Sequence, residues 1–309
     1  MYNVKTRKKY YNDKIMSRQK IIVILGQTAT GKSALAVKIA LRLGLRQAQK
    51  NGGEIISADS RQIYKGLDIG TGKITKKEKR GVPHHLIDII DPKKKFAVAE
   101  YQKMANHAIE KIIKKGKVPI ICGGSGFYID AITKGTIFPE VPPNKKLRDK
   151  LAKKSSIELF RILSKLDKKR ANNIKEKNEI NNKVRLIRSI EIAKAMGKVP
   201  ALSDKSPKYK FIKIGLYLPL DELKKKVEKR VAKMFKDGLL EEIEKLKRSG
   251  VSLKRLKEFG FEYNNPTYEK VVKETLKYAK RQMTWFKRDR EIKWFDASKT
   301  TNIDKLLFS

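Results

Sequence analysis

The chain has 309 residues, 40% of them hydrophobic, which allows one large or two modest domains with a core and excludes a disordered tail. Its 74 Lys and Arg against 33 Asp and Glu give a formal net charge of +41, which fits a polyanionic partner such as nucleic acid and fits lysine-rich solvated faces equally well. Cys122 is the only cysteine, excluding an intramolecular disulfide or a cysteine-built metal site, and no apolar run suits a membrane span or secretory signal, so a reducing cytoplasm is expected.

Residues 1–19, with Lys5, Arg7, Lys8 and Lys9, read as a basic arm. Ile21 to Leu25 are continuously apolar and rich in β-branched residues, the pattern of a strand buried on both faces. They lead into Gly26-Gln-Thr-Ala-Thr-Gly-Lys-Ser33, which matches G-x-x-x-x-G-K-[ST], and helical spacing follows from Ala34 to Leu43. In that setting free N–H groups and the helix dipole favour an anion, and Gly26 and Gly31 let the backbone curl around it. Lys32 adds a point charge, and the Ser33 hydroxyl suits magnesium shared with the phosphates. A phosphate chain, such as that of a nucleotide like ATP, is expected here.

Glu54 to Ser57 read as a second strand, with Asp59 just past its carboxyl end, where open α/β sheets place their functional crevice. A carboxylate there reads as a magnesium ligand, a general base or a helix cap. Lys65 to Lys73 form a glycine-rich turn region. Leu86 to Ile90 read as an apolar strand stopped by Pro92. His84 and His85 are adjacent and His107 is the only other histidine, so they are expected to be structural or to line the cleft, not to bind zinc. A helix is expected over Phe96 to Lys115. A strand over Lys117 to Cys122 then runs into Gly123-Gly-Ser-Gly-Phe-Tyr128, whose glycines suit either a ligand or tight packing.

After Val141-Pro-Pro143 the chain turns strongly basic, and residues 144–198 read as several amphipathic helices. In one of them Arg185 and Arg188 share a face, opposite Leu186, Ile190 and Ala193. Lys210 to Leu218 return to the sheet, and Asp221 to Lys236 form a helix with Lys226, Arg230 and Lys233 on one side. Residues 239–290 are mostly helical. Ala279 to Arg288 mix Lys280 and Arg281 with Trp285 and Phe286, which suits RNA phosphates and bases or a buried tryptophan beneath snorkelling cations. Ile292 to Phe295 end the sheet. The expected fold is α/β: a P-loop core, 20–140 with 199–309, built on a parallel sheet flanked by helices, plus an inserted helical subdomain, 141–198. It reads as complete in a monomer.

Taken together, the phosphate loop, Ser57-Ala-Asp-Ser-Arg-Gln-Ile-Tyr-Lys-Gly-Leu-Asp-Ile-Gly-Thr71, Gly81-Val-Pro-His-His-Leu-Ile-Asp88, Gly123-Gly-Ser-Gly-Phe-Tyr128 and Ala279-Lys-Arg-Gln-Met-Thr-Trp-Phe286 resemble the tRNA dimethylallyltransferase family over residues 20–295. That family prenylates N6 of the adenosine 3′ of the anticodon. The resemblance implies a catalytic set of Asp59, Thr28 and Arg230, with Asp59 as the base toward the adenine amine. It implies that Gly26, Gln27, Thr28, Ala29, Thr30, Gly31, Lys32 and Ser33 hold the diphosphate of dimethylallyl diphosphate, with Mg2+ at Ser33. Implied contacts to the tRNA anticodon stem-loop are Asp59, Ser60, Arg61, Gln62, Ser125, Arg148, Val184, Arg185, Leu186, Ile187, Arg188, Lys280, Arg281 and Gln282.

Three positions depart from the family: Gln27 for its usual Pro, Ser33 for Thr, and Arg61 for an apolar residue. Phe259-Gly-Phe-Glu-Tyr263 only partly matches the family's glycine-aromatic segment. The zinc-finger extension of eukaryotic relatives is absent, the bacterial pattern. Other readings of the loop and Asp59 are an adenylate prenyltransferase, a small-molecule P-loop kinase with Asp59 as base, and a non-catalytic nucleic-acid-binding NTPase using Asp88 or Asp91.

Overall fold

The apolar run Lys20–Gly26 forms β1, and its side chains alternate between two cores. Ile21, Val23 and Leu25 enter one, Ile22 and Ile24 the other, so neither face meets water and a parallel strand results. The structure, a computed structural model, describes residues 20–45, 52–200 and 208–299; the basic arm expected at 1–19 lies outside them. β1 pairs with β4 (Val118–Cys122) on one side and with β5 (Lys210–Tyr217) on the other. β2 (Gly53–Ser57) lies beyond β4 and β3 (His84–His85) beyond β2, while β6 (Lys293–Asp296) flanks β5. The order is β3-β2-β4-β1-β5-β6, and every pairing is parallel.

Helices cover both faces. α1 (Lys32–Gly44) packs Ala36, Val37, Ile39, Ala40 and Leu43 into the second core. A single-turn α2 (Lys76–Lys79) precedes β3. α3 (Val98–Lys114) and α4 (Gly126–Thr133) supply Tyr101, Ile109, Ile112 and Ile129 to the first. The chain leaves β1 for β2, skips the position that β4 later fills, and turns to the other side for β5. That order puts the carboxyl ends of β1, β4 and β2 side by side around one crevice.

The strand expected over Leu86 to Ile90 does not form; β3 is confined to His84–His85. Leu86 (φ 61) and Asp88 (φ 57) take the left-handed conformation, which ends a strand. The segment bonds to the turn after Asp59 instead: the N–H of Asp88 donates to Gln62 O, those of Ile89 and Ile90 to Ile63 O, and Lys65 N–H to Ile90 O. Asp88 itself pairs with Lys73.

Among the described residues, 136–200 form a second compact unit, which begins after Gly135. It contains α5 (Lys145–Ala152), α6 (Ser156–Leu166), α7 (Lys168–Glu176) and α8 (Lys183–Met196). Side chains of Asn144, Ser155, Asp167 and Asn182 cap them. Leu151, Leu159, Leu163, Ile174, Leu186 and Ile190 make its own core. The first unit ends with α9 (Leu220–Lys236), α10 (Leu239–Arg248), α11 (Leu253–Phe259) and α12 (Tyr268–Phe286). Among the described residues no helix is long and apolar enough to cross a membrane.

Beside β3, the buried Glu54 accepts from His85 Nε2 at 2.7 Å and pairs with Lys115 and Lys117 at 3.2 and 2.9 Å. Burial alone would raise its pKa, but the bonds from Lys117, His85 and Lys115 outweigh it and hold the carboxyl at about 2. A pKa below the unfolded value adds stability above pH 4.5 that is lost as the pH falls toward 2. Glu54→Gln is expected to cost about 1–3 kcal/mol at neutral pH and to flatten the acid decline, read as urea midpoints between pH 7 and 2.5.

Candidate active site

The phosphate loop is held from outside by its neighbours. Gly26 has φ 126 and lies so close to β5 that a Cβ there would stand 2.1 Å from Leu216 O. Gln27 N–H donates to Leu216 O at 3.2 Å, a bond the family's Pro cannot make, and its Oε1 accepts from Leu218 N–H at 3.0 Å. The departure at position 27 thus replaces a stiff ring with one bond to β5 and one to Leu218 just after it. Thr30 Oγ1 donates to Gln27 O at 2.8 Å, and Lys32 Nζ also donates to that carbonyl. Ala29 (φ 62) and Gly31 (φ 83) complete the curl, and Gly31 caps α1. Burial, reinforced by Arg230 and partly offset by Cys122 and Asp59, lowers the Lys32 pKa to about 8.

Gln282 on α12 joins this loop to the second glycine turn. Its Oε1 accepts from Thr28 N–H at 2.8 Å and its Nε2 donates to Gly124 O at 3.0 Å. Any side chain at Gly124 would collide with it, since a Cβ would lie 2.2 Å from Nε2. Gly126 is required in the same way by the Trp285 ring, whose Nε1 donates to Asp130 at 3.1 Å.

Across the crevice, the turn after β2 is organised by Asp59, whose Oδ1 accepts from the N–H of Arg61 at 2.9 Å and of Gln62 at 3.4 Å. The carboxylate both caps this turn and lines the cavity. Ser60 N–H donates to Ser125 Oγ at 2.9 Å, tying the turn to the start of α4. Arg61 Nη1 meets Glu262 Oε2 at 2.5 Å. Arg230 reaches in from α9 and donates to Thr71 O at 3.1 Å. The loop carrying Thr71 is fixed by Glu242, which accepts from the N–H groups of Asp68, Ile69 and Gly70 and from Tyr263 Oη. The resulting cavity holds about 410 Å3, with Thr28, Lys32 and Ser33 on one wall and Asp59, Arg61 and Gln62 on another. Arg230, Tyr278 and Gln282 close it.

The residues expected from sequence therefore separate into groups. Thr28, Ala29, Gly31, Lys32, Ser33, Asp59, Arg61, Gln62, Arg230 and Gln282 share the cavity. Gln282 was expected to contact RNA; its amide is spent on the protein backbone, and it is a brace. Lys280 and Arg281 are exposed on α12. Arg148, Val184, Arg185, Ile187 and Arg188 belong to the second unit. There Arg148 and Arg188 both grip the buried Glu191, and Arg185 pairs with Glu179. Leu186 was also expected to touch RNA, but it is fully buried in that unit's core. Among the described residues no group of three or more His, Cys, Asp or Glu is placed to hold a metal ion. Sequence reasoning missed Tyr278, Glu262 and Glu242. Only the partial glycine-aromatic match around Gly260 pointed near them.

A family model described as IPP transferase matches residues 62–289. The chain belongs to the IPP transferase family. It is similar to the tRNA dimethylallyltransferase of Halothermothrix orenii, at 40% identity over 301 residues covering 90% of this chain and 88% of that one. Its fold is similar to the crystal structure of the tRNA isopentenylpyrophosphate transferase of Bacillus halodurans, with TM-score 0.64, 33% identity and 94% of each chain covered. The tRNA delta(2)-isopentenylpyrophosphate transferase of Staphylococcus epidermidis gives TM-score 0.64 and 29% identity, covering 94% of this chain and 98% of that one.

Two outcomes test this IPP transferase site. Gln282→Ala is expected to weaken pyrophosphate binding about tenfold, as a lost bracing pair of about 1.4 kcal/mol implies, with a smaller effect on melting temperature. In the wild type, a bound anion raises the Lys32 pKa above its free value of about 8, so binding takes up a proton above that pH. The Lys32 contribution to pyrophosphate affinity is then expected to be present below pH 8 and lost from pH 8 to 10, measured by calorimetry against the ionisation of pyrophosphate itself.

Proposed function

We propose that this chain transfers a dimethylallyl group from dimethylallyl diphosphate to N6 of the adenosine immediately 3′ of the anticodon in tRNA, releasing diphosphate. The observation that carries the reading is the cavity itself, which sets an anion-binding loop opposite the Asp59 carboxylate in a chain of this family. The loop from Gly26 to Ser33 receives the diphosphate on its cavity side, at Gly31, Lys32 and Ser33, with Lys32 and the N-terminus of α1 facing its charge. As the allylic C1–O bond breaks, negative charge grows on the leaving oxygens, where Lys32 and Arg230 stabilise it more strongly than in the ground state. N6 forms the new bond to C1. Its lone pair is delocalised into the ring, so Asp59 accepts a hydrogen bond from the amine and then its proton.

The residues present fit magnesium bound mainly through substrate. Ser33 offers one exposed hydroxyl beside the loop, and magnesium keeps several waters while sharing phosphate oxygens. When bound, it would neutralise part of the diphosphate charge.

The target adenine has to leave its stack to reach Asp59, which costs less from a single-stranded anticodon loop than from a duplex. Lys280 and Arg281, exposed on α12, suit the tRNA backbone, as do the remaining donors of Arg148, Arg185 and Arg188 in the second unit. A monomer is the proposed working form, and tRNA as the substrate fits work in the cytoplasm.

Magnesium, labelled dimethylallyl diphosphate and unmodified tRNA, with AMP as a competing acceptor, test the assignment directly. Label is expected in tRNA at the adenosine beside the anticodon; label in AMP alone would overturn it. Asp59→Ala is expected to reduce transfer by at least a hundredfold while tRNA affinity stays within about twofold. Replacing Lys280 and Arg281 by Ala is expected to lower the salt slope of tRNA binding by about one for each phosphate these side chains neutralise.

A further inference from the structure

Arg61 follows Asp59 on one tight turn, and both side chains line the same cavity. A guanidinium beside a carboxylate ordinarily closes on it, and a carboxylate paired with arginine is a poorer proton acceptor. That pairing is not formed. Arg61 Nη1 bonds Glu262 Oε2 at 2.5 Å, and the guanidinium lies 5.8 Å from the centre of the Tyr278 ring. Glu262 is only 4% exposed and arrives on the loop after α11. Gly260, with φ 124, allows the approach: a Cβ there would stand 3.1 Å from both Arg61 Nη1 and Glu262 Oε2. Asp59 forms no ion pair among the described residues, and its Oδ1 is occupied only by the two backbone N–H groups of its own turn.

We infer that Glu262 is a positioning residue that holds the Arg61 guanidinium away from Asp59 and so keeps the Asp59 carboxylate unpaired for the acceptor amine. The inference rests on the reading of Asp59 as the base. Glu262 prevails over Asp59 because it is buried, where opposite charges attract more strongly, and because Tyr278 offers the guanidinium a face to lie against. The other charged groups lining the cavity are Lys32 from α1, Arg230 from α9, Glu78 of α2 and Arg80 just after it. Lys32 is bonded to Gln27 O and Arg230 to Thr71 O. The remaining titratable neighbours, Tyr101 of α3, Tyr128 of α4, Tyr278 of α12 and Cys122 of β4, are all held neutral by pKa values raised through burial. Arg61 is therefore the cation on Asp59's own turn that loses its partner when Glu262 is changed.

The arrangement also gives the arginine at position 61 a reason to coexist with catalysis. An apolar residue there needs no counter-charge, whereas an arginine needs an acid elsewhere to occupy it. Glu262 and Arg61 are 201 positions apart in sequence, yet they meet beside the catalytic carboxylate.

The test is a double-mutant cycle on the full chain, with single-turnover transfer rates followed from pH 4 to 8 and melting temperatures recorded alongside. Glu262→Gln is expected to lower the plateau rate about tenfold or more and to move the acid limb down by about 1 pH unit, the effect of a neighbouring arginine on an aspartate. Arg61→Met/Glu262→Gln is expected to regain a rate within about threefold of Arg61→Met alone, with the limb back at its wild-type position. A merely structural Glu262 would lose as much activity without Arg61 as with it, and its limb would not move; either result overturns the inference. If melting shows Glu262→Gln to be unfolded, Glu262→Asp retains the charge at shorter reach and gives the same shift at smaller amplitude, its absence again counting against the inference. Asp59→Asn run in parallel separates the two levels. A wild-type rate there removes the base assignment, whereas an inactive Asp59→Asn beside an unperturbed Glu262→Gln removes only the role of Glu262.

Discussion

A phosphate loop binds an anion through backbone N–H groups that the rest of the protein has to leave alone. The loop must therefore be made rigid by contacts placed elsewhere on it. Here they fall at its entry: Gly26 against Leu216, Gln27 bonded through its backbone to β5 and through its side chain to Leu218, and Thr28 N–H held by Gln282. The second half, with Gly31, Lys32 and Ser33, is left facing the cavity. Gln282 matters most, because the same amide holds Gly124 of the neighbouring turn. One side chain from the last helix sets the distance between two glycine turns that the sheet alone fixes only at their strand ends.

The sheet order makes that economy possible. β4 sits between β1 and β2, so the phosphate loop, the Gly123–Gly124 turn and Asp59 lie in sequence along one edge of the sheet. The reaction needs cations near the leaving oxygens and an unpaired carboxylate near the amine, two demands that conflict in a small space. The conflict is resolved by occupying each group with a fixed partner. Lys32 rests on a carbonyl, Arg230 on Thr71 O, and Arg61 on Glu262. With diphosphate bound as proposed, Lys32 would exchange a neutral carbonyl for a charged ligand, and the same carbonyl occupies it otherwise.

Local pattern made the strands and the loop legible. β1 and β4 are apolar runs, β5 shows enough alternation to be read as a strand, and the motif from Gly26 to Ser33 sits between strand and helix as expected. Asp59 was legible as a strand-end carboxylate, and the structure shows it organising a turn, not capping a helix, through the N–H groups of Arg61 and Gln62. Leu86 to Ile90 misled because apolarity reports burial and not backbone conformation. Leu86 is buried and Ile89 and Ile90 are half-buried, with backbone bonds running to the Asp59 turn and not to a strand. Gln282 misled for a related reason: next to Lys280 and Arg281 it looks like part of a basic RNA-facing strip, yet it lies on the buried face of α12. Glu242, Glu262 and Tyr278 could not be read at all, because their roles depend on partners some 20 to 200 positions away.

The net charge of +41 takes on a narrower meaning once the pairs are known. Buried carboxylates use several cations for architecture, as Glu54 does with Lys115 and Lys117 and Glu191 with Arg148 and Arg188. Even if each of the 33 acidic residues occupied a cation, 41 of the 74 would remain, so internal pairing does not absorb the excess. A cationic surface of that size attracts any RNA through counterion release, without regard to sequence. On the proposed function, discrimination then comes from the cavity, where an extruded base would meet Asp59, a carboxylate that forms no ion pair among the described residues.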